Sequence, residues 1–211
     1  MKFAKFLDLN VVMTLALTLA LILLQVPLAR AIPATSDSIG KLQIKITSNN
    51  SEVVLNKTLG DIRAIFQRYQ PALDSQTKIK SPTKVSGSST RPFFEVTLEK
   101  CVLILCQTVD MRADISVKDS EGKCTKNLVL RADLTRSSEI LSNVYDSLDV
   151  GVCYQRSADG QGTLTLTGSA HHAPKYSGGP IQSEIYQLLK LQLNPIANAT
   201  KKVLQQNGAV L

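Results

Sequence analysis

The 211-residue sequence contains no tryptophan and only two histidines, and aromatic residues make up 5% of it. The histidines, His171 and His172, are neighbours in a segment between Gly168 and Gly179 that we interpret as a loop. Side chains of adjacent residues in an extended segment point apart, so the two rings cannot easily share one metal ion. Metal ligation and general-base chemistry need convergent partners, and no carboxylate lies close to them in the sequence. The sequence therefore predicts no metal site here.

Several sequence motifs of enzymes are also missing. There is no G-x-S-x-G nucleophile motif, no H-E-x-x-H zinc motif and no glycine-rich phosphate-binding loop. Two matches to S-x-x-K, beginning at Ser38 and Ser81, lack the companion S-D-N and K-T-G elements, so we attribute them to chance. We predict a protein that is not an enzyme, with no catalytic residues, no metal and no cofactor.

The N-terminus carries the longest apolar run of the chain. Two lysines precede an almost wholly apolar stretch from Val11 to Leu24, and Ala29-Arg30-Ala31 follows a proline. Charge, a short apolar core, a helix breaker and A-x-A, in that order, are typical of a secretory signal peptide. The apolar core is shorter than the roughly 20 residues of a membrane span. We therefore predict a signal peptide over residues 1–31, cleaved near Ala31, and a single secreted or periplasmic domain over residues 32–211.

The remaining charge is moderately basic. Residues 32–211 hold 21 of the 24 basic and 16 of the 17 acidic side chains, which gives a net charge of +5. This charge is compatible with an anionic envelope polymer or a membrane surface as a partner, although ordinary solubility explains the charge better. The densest basic cluster, Lys78, Lys80, Lys84 and Arg91, has no interleaved aromatic platform, so we predict no nucleic-acid partner.

The four cysteines agree with export, because an even number of cysteines in a secreted chain favours two disulfide bonds. Three pairings are compatible with the sequence. The alternation of side chains along the strands favours Cys101–Cys106 with Cys124–Cys153. A metal site is the competing interpretation, but there is no C-x-x-C and no nearby histidine.

Alternation of apolar and polar residues predicts a β-rich centre. Between Gln107 and Thr135 the apolar residues recur at every second position on both sides of an Asp-Ser-Glu-Gly-Lys turn, and a continuously apolar run, Val102–Leu105, leads into this hairpin. The same pattern predicts further strands, and Glu52–Leu55 is interpreted as pairing back on the first of them. These strands are Lys41–Thr47, Arg91–Lys100, Leu148–Gln155, Thr163–Thr167 and a poor strand over Thr77–Ser86 that Pro82 interrupts.

Helical spacing appears near both ends of this region. We predict a helix that Thr58 caps and that runs with one apolar stripe to Tyr69, before Pro71. A longer helix runs from Pro180 to Gln206, with a kink or break at Pro195. A short helix is predicted over Ser138–Ser147.

The order of elements predicts an α+β fold. A mostly antiparallel β-sheet of about six to seven strands would pack against a long C-terminal helix and one shorter N-terminal helix. From Lys41 to Gln206 this order resembles the helix-grip fold of the START and Bet v1-like superfamily. The resemblance implies a cavity between the sheet and the long helix that holds a hydrophobic ligand. It rests on element order and includes no motif, so no functional residue is transferred.

Candidate ligand-binding residues lie on the apolar sides of the predicted strands and of the last helix. Small or flexible residues there would leave a gap in the core, and Tyr154, Tyr186 and Arg131 are candidates for its polar rim. Arg131 also fits a charge ladder on the opposite face with Asp110, Arg112, Asp114 and Asp133. The candidate set is Met111, Ala113, Leu130, Ala132, Val152, Tyr154, Tyr186 and Leu189.

We predict a binding protein that holds a hydrophobic small molecule or lipid between the sheet and the C-terminal helix. The alternative is a non-catalytic structural or interaction module of the cell envelope, with a filled core and a basic surface. An apolar cavity of several hundred cubic ångström, as in typical ligand sites, favours the first, and dense packing favours the second. Histidines that lie beside an acidic side chain would instead favour an enzyme.

Overall fold

The computed structural model describes residues 35–136, 144–174 and 180–211, which belong to one unit, Thr35–Leu211. The signal peptide predicted for residues 1–31 lies outside the described residues. No helix in these ranges is both long enough and apolar enough to cross a membrane.

In the described ranges, eight strands form one antiparallel sheet. The strands are β1 (Ser36–Ile46), β2 (Thr77–Ile79), β3 (Lys84–Gly87), β4 (Pro92–Val102), β5 (Leu105–Asp119), β6 (Lys126–Arg136), β7 (Tyr145–Arg156) and β8 (Gly162–His172). Their order across the sheet is β1-β8-β7-β6-β5-β4-β2, and β3 also pairs with β4. Pro82 lies between β2 and β3, as predicted, because proline has no N–H group to donate to a strand ladder.

Two short helices, rather than the single one predicted, follow β1. They are α1 (Ser51–Gly60) and α2 (Ile62–Gln67). The predicted start at Thr58 is wrong, since Thr58 lies inside α1 and its buried hydroxyl donates to the carbonyl oxygen of Val54 at 2.8 Å. The strand predicted for Glu52–Leu55 is also wrong. The physical reason is that Ser51, Val54, Leu55 and Thr58, which recur at helical spacing, all point into the core.

The C-terminal helix is interrupted close to its proline, as predicted. It consists of α3 (Pro180–Leu191) and α4 (Leu193–Gln206), which meet at Gln192. Pro195 has no N–H group for the carbonyl of Leu191, and its ring would collide with that carbonyl in a regular helix. At the junction, the Gln192 N–H donates to the carbonyl oxygen of Leu189 at 3.0 Å, whereas in a regular α-helix it would donate to that of Leu188.

The core lies between the inner face of the sheet and the helices. α4 packs against β1, α1 and α2, and α3 packs against β1, β8 and α4. Val152, Leu164 and Leu166 of the sheet and Val203 and Leu204 of α4 are almost completely buried. The predicted α+β class, an antiparallel sheet covered by a long C-terminal helix, is therefore confirmed.

Both favoured disulfide bonds are present. Cys101 is bonded to Cys106 near the tip of the β4–β5 hairpin, and Cys124 is bonded to Cys153. The short helix predicted for Ser138–Ser147 falls largely on residues 137–143, outside the described residues. Its described end, Tyr145–Ser147, belongs to β7.

Candidate functional site

The predicted site residues of the strands share the inner face of the sheet. Ala113 pairs with Leu134, Leu130 with Val150, and Val152 with Leu166. Alternate residues of paired strands project to the same face, so these side chains form one continuous apolar surface. Their role in ligand binding stays a prediction.

Tyr154 belongs to the filled part of this face. Its side chain is completely buried, and its hydroxyl is hydrogen-bonded to the buried hydroxyl of Ser51. The Ser51 hydroxyl donates in turn to the carbonyl oxygen of Gly160 at 2.5 Å. Gly162 lies against the Tyr154 ring, where a Cβ atom would come within 2.2 Å of it. Tyr154 therefore links β7 to α1 inside the core, and its predicted place at a rim is wrong.

The opposite end of the inner face is less completely covered. Met111 and Ala132, both predicted site residues, and Leu134 beside them are partly buried apolar residues that pack against the core. On α3, Ile185 and Tyr186 share this intermediate burial, whereas the predicted Leu189 is buried. We name this set of five half-buried residues the mouth: Met111, Ala132, Leu134, Ile185 and Tyr186.

Tyr186 ties α3 to the edge of the sheet. Its hydroxyl donates to the carbonyl oxygen of Ser38 at 2.9 Å. A ring that is half-buried and a hydroxyl that faces the β1 backbone match the amphipathic character expected of a rim residue.

A polar cluster lies on the inner face at the same end. The Tyr145 hydroxyl donates to the Oδ2 atom of Asp37, and His172 Nε2 lies 3.1 Å from that oxygen. Burial raises the pKa of Asp37, but hydrogen bonds from Tyr145 and His172 outweigh burial and hold the pKa below its usual range. The Tyr145 and His172 rings are also in contact, with centroids 5.7 Å apart. The cluster thus presents a carboxylate, a phenol and an imidazole close to α3.

Acid should weaken the fold through this cluster. Since the folded-state pKa of Asp37 lies below that of the unfolded chain, its ionised form stabilises the fold above the unfolded pKa, near 4. This contribution is lost as the pH falls through the folded pKa. We expect wild type to exceed Asp37→Asn in unfolding free energy by a constant amount near pH 6, and the difference to shrink below about pH 4. Urea unfolding of both proteins across this range measures it, and a difference independent of pH would contradict the assignment.

The loop predicted for the two histidines is wrong. β8 remains paired to its end, with His171 opposite Ser36 of β1 and His172 opposite Tyr145 of β7. Adjacent strand residues point to opposite faces, so the rings diverge, as expected. Each ring nevertheless lies beside a carboxylate. On the outer face, Nε2 of His171 lies 2.8 Å from Oδ2 of Asp149.

The outer face carries the predicted charge ladder. Arg131 Nε donates to Oδ1 of Asp133 at 2.9 Å, and its Nη1 lies 3.8 Å from Oδ2 of Asp149. On β5, Arg112 Nη2 lies 2.7 Å from Oδ1 of Asp114. Arg131 is therefore a member of this ladder rather than of the inner rim.

A cleft of about 590 Å³ is lined by charged side chains of the sheet together with apolar residues, among them Val96 and Met111 of the inner face. Its charged and polar walls bond to one another, since the Thr97 hydroxyl donates to Asp110 at 2.7 Å and Arg112 lies 3.7 Å from Glu95. Met111 of the mouth is therefore also part of the wall of this cleft. The lining residues are Ser81, Pro82, Lys84, Glu95, Val96, Thr97, Asp110, Met111, Arg112 and Thr135.

One group of potential metal-binding atoms occurs within the described ranges, formed by Glu99, Cys101 and Cys106. The two sulfur atoms are bonded to each other, so the group offers no thiolate. We assign no metal site to it.

Comparison with known proteins finds similarity to solved structures at low sequence identity. No protein-family model matches the sequence, and no similar sequence is found among curated proteins. A norcoclaurine synthase from Thalictrum flavum is 10% identical, with a TM-score of 0.46 over 81% of this chain and 95% of that protein. An aromatase/cyclase from Streptomyces is 12% identical, with a TM-score of 0.40 over 82% of this chain and 93% of that protein. A START-superfamily protein from Mycobacterium smegmatis is 11% identical, with a TM-score of 0.40 over 79% of this chain and 97% of that protein.

These values carry no information on activity or ligand. The assignment of the fold rests on the element order, on the antiparallel pairing of the strands and on the long helix that covers the inner face. Together these features give the chain the helix-grip architecture that its sequence predicted.

Proposed function

We propose that this protein binds a hydrophobic small molecule or lipid between the inner face of the sheet and the C-terminal helix. The observation that carries the proposal is the mouth, where apolar side chains of β5, β6 and α3 are half-buried at one end of the apolar face. Ligand sites are mostly apolar clefts with a few placed polar groups. The predicted residues Met111, Ala132, Tyr186 and Leu189 lie at or beside this end.

The polar cluster supplies the placed polar groups. Asp37, Tyr145 and His172 offer an acceptor and donors on the inner face, beside α3. An amphipathic ligand would place its polar end there and its apolar body along the strands. The Tyr186–Ser38 hydrogen bond would fix α3 over that ligand.

Filling the mouth should weaken ligand binding. We expect Ala132→Phe to weaken binding of the apolar fluorophore 1-anilinonaphthalene-8-sulfonate by about tenfold or more, because the new ring occupies the space of the ligand. Val53→Phe adds the same ring at an exposed position on α1, outside the mouth, and is the matched control. Fluorescence titration gives both affinities, and circular dichroism checks that each variant is folded.

Native mass spectrometry of the wild-type protein completes the test. We expect an apolar molecule to co-purify with it and to be depleted in Ala132→Phe. If no molecule co-purifies and both variants bind the fluorophore as wild type does, the filled-core interaction module is the correct alternative.

The His172–Asp37 pair supports a second candidate function, acid–base conversion of the bound molecule. A histidine and a carboxylate within 3.1 Å of each other on the inner face have the geometry of a general acid–base pair. The discriminating measurement is the identity of the co-purifying molecule in His172→Gln. An enzyme would retain a chemically different molecule in the variant, whereas a binding protein would retain less of the same one.

We also propose that the domain acts outside the cytoplasm. Two disulfide bonds suit an oxidising compartment. Mass measurement of protein recovered from an exporting host tests cleavage near Ala31, and a retained N-terminus would contradict it.

A further inference from the structure

The tip of the β4–β5 hairpin exposes three consecutive aliphatic side chains. Leu103, Ile104 and Leu105 are 95%, 92% and 77% exposed. Residues 103 and 104 form the two-residue turn, since Val102 pairs with Leu105 and Cys101 with Cys106. Isolated exposed leucines are ordinary, whereas a contiguous exposed apolar group marks an interaction site.

The conformation of this turn does not favour the residues it contains. Leu103 has a φ angle of +57°, and within the described ranges it is the only non-glycine residue with a positive φ. Two-residue hairpin turns prefer glycine, asparagine or aspartate at such positions. A branched side chain that opposes both turn preference and solvation indicates a role in contact rather than in folding.

The Cys101–Cys106 bond closes the hairpin directly behind the tip. It restrains the apolar residues in one place, so less conformational freedom is lost when they are buried against a partner.

The distribution of charge around the tip identifies the partner. No charged residue occurs from Cys101 to Val109. At about 3.3 Å per strand residue, Lys100 lies roughly 10 Å behind Leu103. Interfacial segments bury their apolar face about 5–10 Å into the boundary between lipid head groups and acyl chains. The tip can therefore enter that boundary without burying a charge. The charges behind it, Lys100 paired with Asp74 at 2.7 Å and the exposed Lys78 opposite Glu99, stay at head-group level.

We propose that the Leu103–Leu105 tip docks the protein on a lipid bilayer by inserting into this boundary. A protein partner is less well matched, because energetically important interface residues are enriched in tryptophan, tyrosine and arginine, and leucine is under-represented among them. The convex tip contains none of the three. An aliphatic tip matches hydrocarbon.

Docking in this way places the mouth beside the bilayer. Lys100 Nζ lies 3.9 Å from Oε2 of Glu184, so the base of the hairpin touches α3 next to Ile185 and Tyr186. A lipid could then pass between the membrane and the mouth over a short path. Docking itself does not depend on the proposed ligand, and it would hold for a protein with a filled core.

A single tryptophan gives a clean reporter, because the chain has none. We expect the emission of Ile104→Trp to shift to the blue when vesicles of equal parts phosphatidylcholine and phosphatidylglycerol are added. Val53→Trp, at an exposed apolar position on α1, is the matched control and should not shift. Both variants are prepared with the same N-terminus, the one expected after cleavage near Ala31. Equal shifts, or none for Ile104→Trp, would overturn the proposal.

A turn variant separates docking from folding. Leu103→Gly with Ile104→Ser suits a hairpin turn better than the native pair, so the unfolding midpoint should not fall. We expect its partitioning into the same vesicles to drop about tenfold or more, because burying each aliphatic side chain accounts for roughly that factor. Vesicle flotation of wild type and variant measures it. Unchanged partitioning of the variant would overturn the proposal. It would also be overturned if the wild type does not bind vesicles but self-associates in sedimentation velocity, and if this self-association is lost in the variant.

Discussion

Replacing Gln192 with leucine is expected to lower the free energy of unfolding by about 3–5 kcal/mol, through several buried polar groups left without partners. Gln192 lies at the junction of α3 and α4 and is buried. Its side-chain amide bonds to both backbone groups of Ala72, accepting from the N–H at 3.0 Å and donating to the carbonyl at 2.6 Å. It also accepts from the Tyr69 hydroxyl at 2.5 Å and donates to the carbonyl of Leu188 at 2.6 Å.

The size of the effect follows from the surroundings of these partners. Burial raises the pKa of Tyr69, so its hydroxyl stays protonated and needs an acceptor. The Ala72 backbone groups lie in the connection after α2, where Gln192 takes the place of a strand or helix partner. Each buried polar group that loses its partner costs about 1–3 kcal/mol, and leucine offers no replacement for any of them.

Gln187→Leu is the matched control, because Gln187 is an exposed residue on α3, five positions before Gln192. It should change stability by no more than about 0.5 kcal/mol. Urea unfolding followed by circular dichroism measures both variants. Equal destabilisation of the two would show that the amide network contributes nothing at the helix junction.

The sheet could be predicted from the sequence because strands have a period of two. In β5 and β6 apolar residues recur at every second position, so spacing alone predicts that Ala113, Leu130 and Ala132 share one face. α1 was missed because its buried stripe contains two hydroxyl residues, Ser51 and Thr58. Both satisfy their hydroxyls internally, by bonding to Gly160 and Val54 respectively, which spacing cannot show.

The polar cluster of the site could not be predicted from the sequence. Asp37 and His172 are far apart in the chain, and β1 and β8 bring them together through pairing. Local motifs describe chemistry on one loop or helix, whereas an antiparallel sheet assembles it from distant strands. The same limit applies to Gln192, whose partners lie near residue 70.

The composition of an apolar run does not determine whether the run is buried or exposed. Val102–Leu105 has the composition of a buried strand, and it led into the predicted hairpin. The structure places its last three residues in solvent. Composition gives the affinity of a segment for an apolar environment, but only topology shows whether the protein's own core supplies that environment.

Loss of the Cys124–Cys153 disulfide is expected to destabilise the protein by about 3–4 kcal/mol and to lower its melting temperature by roughly 10 °C. The bond joins the β5–β6 turn to β7 across a sequence separation of 29 residues. Closing a loop of this length removes more conformational entropy from the unfolded chain than closing a short one. The double variant Cys124→Ala/Cys153→Ala, studied by thermal unfolding, gives the value without free thiols.

The Cys101–Cys106 bond provides the comparison within the same chain. Its sequence separation is 5, so Cys101→Ala/Cys106→Ala should cost only about 2 kcal/mol. A larger loss from the short loop than from the long one would mean that local packing at the hairpin, rather than chain entropy, determines what each bond contributes.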